Sequence, residues 1–492
     1  MEVSDPSDLR SGCQAFIVSA FAVLTDEHVL PTPRYHPYVA VGRDYFGGSI
    51  TALTEYTVLE ALLNQRYAGR FAEPLKRDHA EFASSYIFGL LEACITRCGL
   101  AGSFTPSGPP VEESIDELLA VLGSRTYELV CARHVSHLTS GRSTEAQIGD
   151  VTVVPAPGGP HSLLVDRIRR EIPSAPRAWN RDLPRPYDPP HALLIIREVT
   201  NDADAYAVCS RLSTRLERFL LLARLLTAGT VQTVYEVSGM TTLIARMNPQ
   251  VRTSGRGMLD TLVRRTVRLT GEEAPAFAAL SDMIDSADIK RDGIVATSFD
   301  VALGKYNHSY SISNPYEQLV DLATALEGTL IGAENEGEGL TLRLCTRTAA
   351  LLAREDDPAI TVFGDVKELY GLRSKLVHGG KITKQDLRKV FVRVSTVPDD
   401  DAEHRFGVAL AYAVDRMRDL VRRAILARLC LAERPEPKWP FTGHTPVDAT
   451  LADDPQRDAW RTHWHTRLTA LGADYAIGKP RAAVHTVSQE DR

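Results

Sequence analysis

Arg373 and His378 stand five positions apart in the string KELYGLRSKLVHGG, residues 367–380. A histidine changes protonation near neutral pH and can take or return a proton, and an arginine carries a permanent charge that meets phosphate oxygens well. Spacing alone says little, because a chain with this many histidines and arginines is expected to hold about one Arg-x4-His match by chance, and this chain holds one. The surroundings carry more weight. Advancing about 100° per residue from Val366, the apolar Leu369, Tyr370, Leu372, Leu376 and Val377 form one stripe, and Arg373 falls inside it. A guanidinium directed at a packing surface is costly unless an anion or a partner chain meets it. His378 lies about 140° further round, so one ideal helix does not bring both groups to a point. Fraying of the helix end, or two copies of the helix facing each other, would.

Two readings of the pair are open from the residues. In one, Arg373 is structural, paired to Asp321 or Glu327, and His378 is a cation at the C-terminal end of a helix dipole. In the other the pair handles phosphate, and local charge favours this. From Gly371 to Arg393 there are seven basic residues, Arg373, Lys375, Lys381, Lys384, Arg388, Lys389 and Arg393, against Asp386 alone, in a chain with a net charge of -7. Lys381, Lys384, Arg388 and Lys389 are therefore candidate phosphate contacts, with a solvated helix face as the plainer alternative.

Helical periodicity predicts the elements that hold these residues. Leu319, Leu322, Ala323, Leu326 and Leu330 follow one buried face after Pro315. The acidic, glycine-rich GAENEGEG ends that helix, and Leu342, Cys345, Ala349 and Leu352 mark the next. A third begins near Gly364 and stops at Gly379-Gly380, since glycine readily takes the left-handed conformation at a helix end. A shorter segment spans Leu387 to Val394, and the acidic loop PDDDAEH leads into a long helix. Its apolar Phe406, Leu410, Ala413, Met417, Leu420, Ala424, Ala427 and Leu431 have the spacing of a bundle seam. The module is expected to be an all-α bundle of four or five helices over 310–432.

The succession of NPYEQLVDLATALEGTL, an acidic loop, LTLRLCTRTAALLA, LYGLRSKLVHGG and a long closing helix resembles the ApeA-like branch of the HEPN superfamily. The likeness covers roughly a quarter of the chain, and LYGLRSKLVHGG is its most specific part. It implies that Arg373 and His378 are the catalytic pair of an Arg-x4-6-His motif. The polar residue after the arginine maps onto Ser374, a departure from the Asn, Asp or His common there. Ser374, Lys375, Glu327 and Asp321 are the expected supporting residues. The resemblance further implies metal-independent RNA cleavage at a homodimer interface, often in a toxin or in phage defence, with tRNA or mRNA as substrate. Chemistry agrees: a histidine serves as acid or base, an arginine stabilises the pentavalent phosphate, and cleavage through the 2′-hydroxyl leaves 2′,3′-cyclic phosphate and 5′-hydroxyl ends. The alternative is a non-catalytic HEPN module that binds RNA or a nucleotide, or dimerises.

The rest of the chain provides the setting. Its 492 residues exceed one core and predict an α+β N-terminal region followed by the bundle. The expected parts are 1–150, an α+β region; 151–295, a second α+β or helical regulatory region, open to a partner or ligand; the bundle; and 433–492, a Pro-rich linker and tail with one helix over Pro455 to Leu471. Phe16 to Leu24 and Tyr38 to Val41 are rich in strand formers. Ile50 to Tyr67, Glu81 to Arg97, Glu112 to Leu122, Asp204 to Ala228 and Met258 to Ala287 have helical spacing, and Ala192 to Val199 and Val231 to Val237 read as strands.

Net acidity argues against a general nucleic-acid coat, so RNA contact must be local. The excess of arginine over lysine matches GC-rich bacterial genomes. The apolar runs are too short to span a bilayer, and MEVSDPSDLR lacks the order of a secretory signal, so a cytoplasmic protein with no membrane contact is expected. Seven scattered cysteines fit reduced thiols. Cys94 with Cys98, His134 with His137, and His463 with His465 around Trp464 are weak candidates for metal or base contact, outweighed by structural roles. No Walker loop, dinucleotide fingerprint, HExxH or GxSxG appears, which disfavours ATP-driven chemistry and zinc hydrolysis. No cofactor is expected.

Overall fold

The computed structural model describes residues 6–26, 30, 47–68, 83–124, 126–140, 145–156, 167–168, 170–172, 191–201, 205–242, 244, 250–253, 266–287, 297–332, 339–379, 381–433 and 447–478, and the statements below concern these. They are mostly helical, with an antiparallel sheet in the N-terminal half.

Among the described residues five helices come first: α1 (Pro6–Asp26), α2 (Gly47–Thr51), α3 (Thr54–Arg66), α4 (Ala83–Ala101) and α5 (Pro109–Gly123). They enclose a core of their own. The strand-like stretch from Phe16 to Leu24 is helical. Cys13, Phe16, Ile17, Ala20, Phe21 and Leu24 are buried at steps of three and four, so the helical period overrides the strand preference of the aromatic and β-branched residues within it. Tyr38 to Val41 lie outside the described residues.

The sheet contains β1 (Tyr127–Ser136), β3 (Ala146–Ile148), β4 (Val151–Ala156), β5 (His191–Thr200), β6 (Gln232–Met240) and β7 (Gln250–Thr253) in the order β3-β4-β5-β1-β6-β7. Its pairings are antiparallel, with Tyr127 opposite Thr200 and Ser136 opposite His191 in the central pair. Short β2 (Leu138–Thr139) pairs in parallel with β8 (Val267–Arg268). Alternation splits the side chains between two faces. Leu129, Cys131, Leu194 and Ile196 join the core under α6 (Ala205–Thr227). Val130, Ala132, Leu193 and Ile195 pack with Ile168 and Ile172 on the other face. Of the segment expected to be helical from Met258, β8 precedes α7 (Ala274–Ala287).

The C-terminal half is helical throughout: α8 (Ser298–His308), α9 (Pro315–Leu330), α10 (Leu340–Leu352), α11 (Ala359–Val377), α12 (Lys384–Phe391), α13 (Asp399–His404), α14 (Phe406–Ala432), α15 (Val447–Ala452) and α16 (Asp454–Ala470). Thr297 and Asp300 form a capping box on α8, and Asn314 caps α9 ahead of Pro315. A Cβ on Gly328 would lie 2.6 Å from the Ser298 carbonyl oxygen, so glycine there lets α8 and α9 approach closely. α11 starts at Ala359, a turn earlier than the apolar pattern suggests, because Pro358 is its N-cap. The acidic PDDDAEH is a short helix, since Pro398 starts a turn whose first positions suit aspartate.

α14 runs through the centre, and its burial is not confined to an apolar seam. Arg416, Arg422 and Arg423 are also buried. Arg416 grips Asp357 at 2.8 and 3.0 Å and Asp365 at 2.7 Å. Arg423 reaches Asp357 at 2.6 Å and Asp419 at 3.0 Å. Burial pushes the Asp357 and Asp419 carboxyls up, but these arginines outweigh it and hold both below the ordinary range. Three cations and three anions thus neutralise one another around one helix.

One apolar core runs from the sheet face through α6, α7 and the bundle to Trp460 and Trp464 of α16. The packing is thus continuous between the part expected over 151–295 and the bundle expected over 310–432, and 447–478, expected as part of a tail, pack on the bundle. Asp448 pairs with Arg347 at 2.6 Å, and both tryptophans are fully buried.

Candidate functional site

α11 ends at Val377, and His378 is its C-cap. The His378 backbone N–H donates to the Ser374 carbonyl at 3.1 Å, and Gly379 takes a φ of +70°, the left-handed region glycine favours. Val362, Val366, Leu369, Tyr370 and Leu372 face the core. Arg373 lies at the edge of that face, with 19% of its side chain exposed.

Arg373 turns toward α9. Its Nη2 stands 3.5 Å from Glu327 Oε2, and its Cζ lies 5.4 Å from the centre of the Tyr370 ring. The Tyr370 hydroxyl donates to the other oxygen of the same carboxylate. Burial, then this hydrogen bond and the charge of Glu327, push the Tyr370 phenol well up. The Nε of Arg373 is buried and makes no hydrogen bond. A guanidinium has five N–H donors, and here its ion-pair partner is at the long end of contact.

His378 is exposed at the other side of the helix end. Five residues of α-helix separate the pair by about 7.5 Å along the axis and about 140° around it. A single chain thus presents the two groups in different directions, one against α9 and one to solvent.

Of the expected supporting residues, Glu327 meets Arg373 and Asp321 does not. Asp321, nearly buried, accepts from Lys305 Nζ at 2.7 Å and His308 Nδ1 at 2.7 Å, because its face of α9 packs on α8. This Lys305–Asp321–His308 cluster was invisible in the sequence, where the turn between α8 and α9 separates its members. Lys375 pairs with Asp386 at 3.0 Å. Hydrogen bonds from the Thr383 hydroxyl and backbone N–H, then Lys375, pull the Asp386 carboxyl far down.

The basic run is less basic in space than in sequence. Arg388 meets Glu403 at 2.7 Å and Arg393 meets Glu368 at 2.9 Å, both acids lying outside the window that looked so one-sided. Lys381, Lys384 and Lys389 are exposed. Lys381 lies between α11 and α12, Lys384 opens α12 and Lys389 stands in its last turn.

The remaining candidates fall elsewhere. Cys94 and Cys98 are buried in the first helical core, and Cys98 Sγ donates to the Thr105 carbonyl at 3.6 Å. His134 lies on β1, with Nε2 3.1 Å from Nδ1 of His191, and His137 is buried just beyond the strand. His463 donates to the Cys430 carbonyl at 3.1 Å, and His465 packs edge-on against Trp464. Among the described residues no group of three or more His, Cys, Asp or Glu side chains is placed to hold a metal ion, and no helix is long and apolar enough to cross a membrane.

Comparison of the chain with protein-family models, curated proteins and solved structures finds no match.

Proposed function

We propose that residues 310–432 form a HEPN-like module that cleaves RNA without a metal, as a homodimer, in a bacterial toxin or anti-phage effector of the cytoplasm. The N-terminal region would regulate it by sensing a partner or ligand. The observation that carries this reading is the placement of Arg373: a partly exposed guanidinium in a loose ion pair, about one and a half turns from an exposed histidine at a glycine-terminated helix end.

In this reaction His378 takes the proton of the ribose 2′-hydroxyl as its oxygen attacks phosphorus. The bond from phosphorus to the 5′-oxygen breaks, and the leaving oxygen is protonated by a histidine acting as acid. Arg373 stabilises the extra charge on the phosphorane. Because one chain directs the two groups differently, a facing second copy supplies the complementary group, and the two-fold brings two arginines and two histidines to one groove.

A second reading has its own observation. The Arg373–Glu327 pair is what a structural arginine makes, and with His378 apart in solvent it favours a non-catalytic HEPN-like module that binds RNA or a nucleotide, or dimerises. The test is cleavage of total cellular RNA by the full-length protein. Arg373→Ala and His378→Ala are each expected to abolish cleavage while leaving folding and dimerisation intact. Wild-type-like cleavage by either purified variant removes the catalytic reading.

A further inference from the structure

Three groups meet where α9 and α11 cross: the Glu327 carboxylate, the Tyr370 hydroxyl and the Arg373 guanidinium. The two bonds to Glu327 are unequal. Tyr370 donates a hydrogen bond to one oxygen, whereas Arg373 stands 3.5 Å from the other and donates nothing from Nε. The carboxylate is therefore anchored by tyrosine, and the arginine is held by charge.

We infer that Glu327 is an internal counter-anion that occupies Arg373 in the resting protein and yields it to an RNA phosphate. This rests on the reading of Arg373 as a phosphate-binding group. The exchange is feasible because neither partner is stranded by it. Glu327 keeps its hydrogen bond to Tyr370, and 21% of its side chain is exposed to water, so losing the arginine does not leave a buried charge unmet. Arg373 exchanges one distant carboxylate oxygen for a phosphate, whose oxygens accept from the terminal nitrogens. Its stacking on Tyr370 keeps the guanidinium at the edge of the helix face during the exchange. Glu327 thus acts on RNA through Arg373, setting how strongly a phosphate must compete before the site is filled.

The consequence is opposite in sign to that of a residue that merely positions Arg373. Removing the negative charge from Glu327 frees the arginine and strengthens RNA binding, whereas removing a positioning group weakens it. Binding of a fluorescein-labelled single-stranded 2′-O-methyl RNA, which lacks the nucleophilic hydroxyl and is not cleaved, separates affinity from turnover. With the full-length protein, Glu327→Gln is expected to bind this probe roughly two- to fivefold more tightly than wild type, the size of a partly exposed ion pair. Glu327→Asp keeps the charge but draws it back by one methylene, and should lie between the two; it also serves if the glutamine variant folds poorly. In an Arg373→Ala background the Glu327→Gln gain should vanish. If Arg373→Ala weakens binding but Glu327→Gln leaves it unchanged or weaker, the counter-anion role is wrong and the phosphate role of Arg373 stands. If Arg373→Ala binds the probe like wild type, the phosphate role itself falls, and the counter-anion role with it.

Discussion

Arg422 of α14 donates to the Leu225 carbonyl at the C-terminal end of α6, 3.3 Å away. Tyr306 of α8 does the same for the neighbouring Arg224 carbonyl at 2.9 Å. The last turn of a helix leaves carbonyls without intrahelical partners, and here the bundle supplies them. The helix that covers the sheet is thus fastened to the helices that surround the Arg373 motif. This gives the sheet region a physical route to the bundle, since a shift of α6 must either drag α8 and α14 or leave two helix-end carbonyls without these partners.

The buried ionic cluster around α14 makes a sharp prediction. Arg416→Met removes the cation beside Asp365, which keeps only its hydrogen bonds from Ser395, and one of the two arginines on Asp357, leaving buried carboxylates undercompensated. Stability is expected to fall by about 3–5 kcal/mol, read as a shift of the denaturant midpoint by circular dichroism. A change within error would mean that water or a rearranged Arg423 satisfies both acids.

His465 predicts a pH dependence. Burial, with Arg354, Arg461 and Arg423 nearby, lowers its pKa from the ordinary 6.5 to about 4. A histidine held neutral in the folded state contributes stability above its unfolded value, and that contribution is lost as pH falls from about 6.5 toward 4. The loss is expected to reach up to about 3 kcal/mol, before the low-lying carboxylates Asp357 and Asp419 begin to take up protons. Comparing urea unfolding at pH 7 and pH 4.5 in wild type and His465→Asn checks it. An equal decline in both proteins assigns the loss to other groups.

The proposed chemistry needs a proton carrier and a phosphate-stabilising cation, and His378 and Arg373 supply both. RNA cleavage is therefore expected to survive EDTA and to leave 2′,3′-cyclic phosphate ends, and the full-length protein should scatter light as a dimer. Activity lost to chelator and restored by Mg²⁺ would replace this mechanism with a metal-assisted one. A strictly monomeric protein that still cleaves would dispose of the shared groove.

Much of the bundle was legible because its helices announce themselves locally. The apolar steps from Leu319 to Leu330, the start at Pro315 and the stop at Gly379 depend on residues within a turn or two of one another, and the helices formed close to where the pattern placed them. The strands at Ala192 and Val231 were visible for the same reason. Phe16 to Leu24 was misread because its composition favours a strand while the spacing of its buried residues is helical, and packing on α3 and α4 selects the latter.

Sequence by itself determined that Arg373 and His378 share one helix, that this helix ends in glycine, and that the two side chains diverge, since all three follow from helical geometry. Only the tertiary structure decided which acid meets Arg373. Glu327 and Asp321 lie on the same helix six residues apart, and the packing of α8 on one face and α11 on the other gives Asp321 to Lys305 and His308, and Glu327 to Tyr370 and Arg373. The same holds for Arg416, Arg422 and Arg423. The apolar seam of the long helix gave no sign of them, and they are buried because Asp357 and Asp365, more than fifty residues earlier, and the carbonyls of Leu225 and Ala476 are brought to them by the fold. A charge tolerates burial only when its partner arrives with it, and the arrival of a distant partner is a property of tertiary structure.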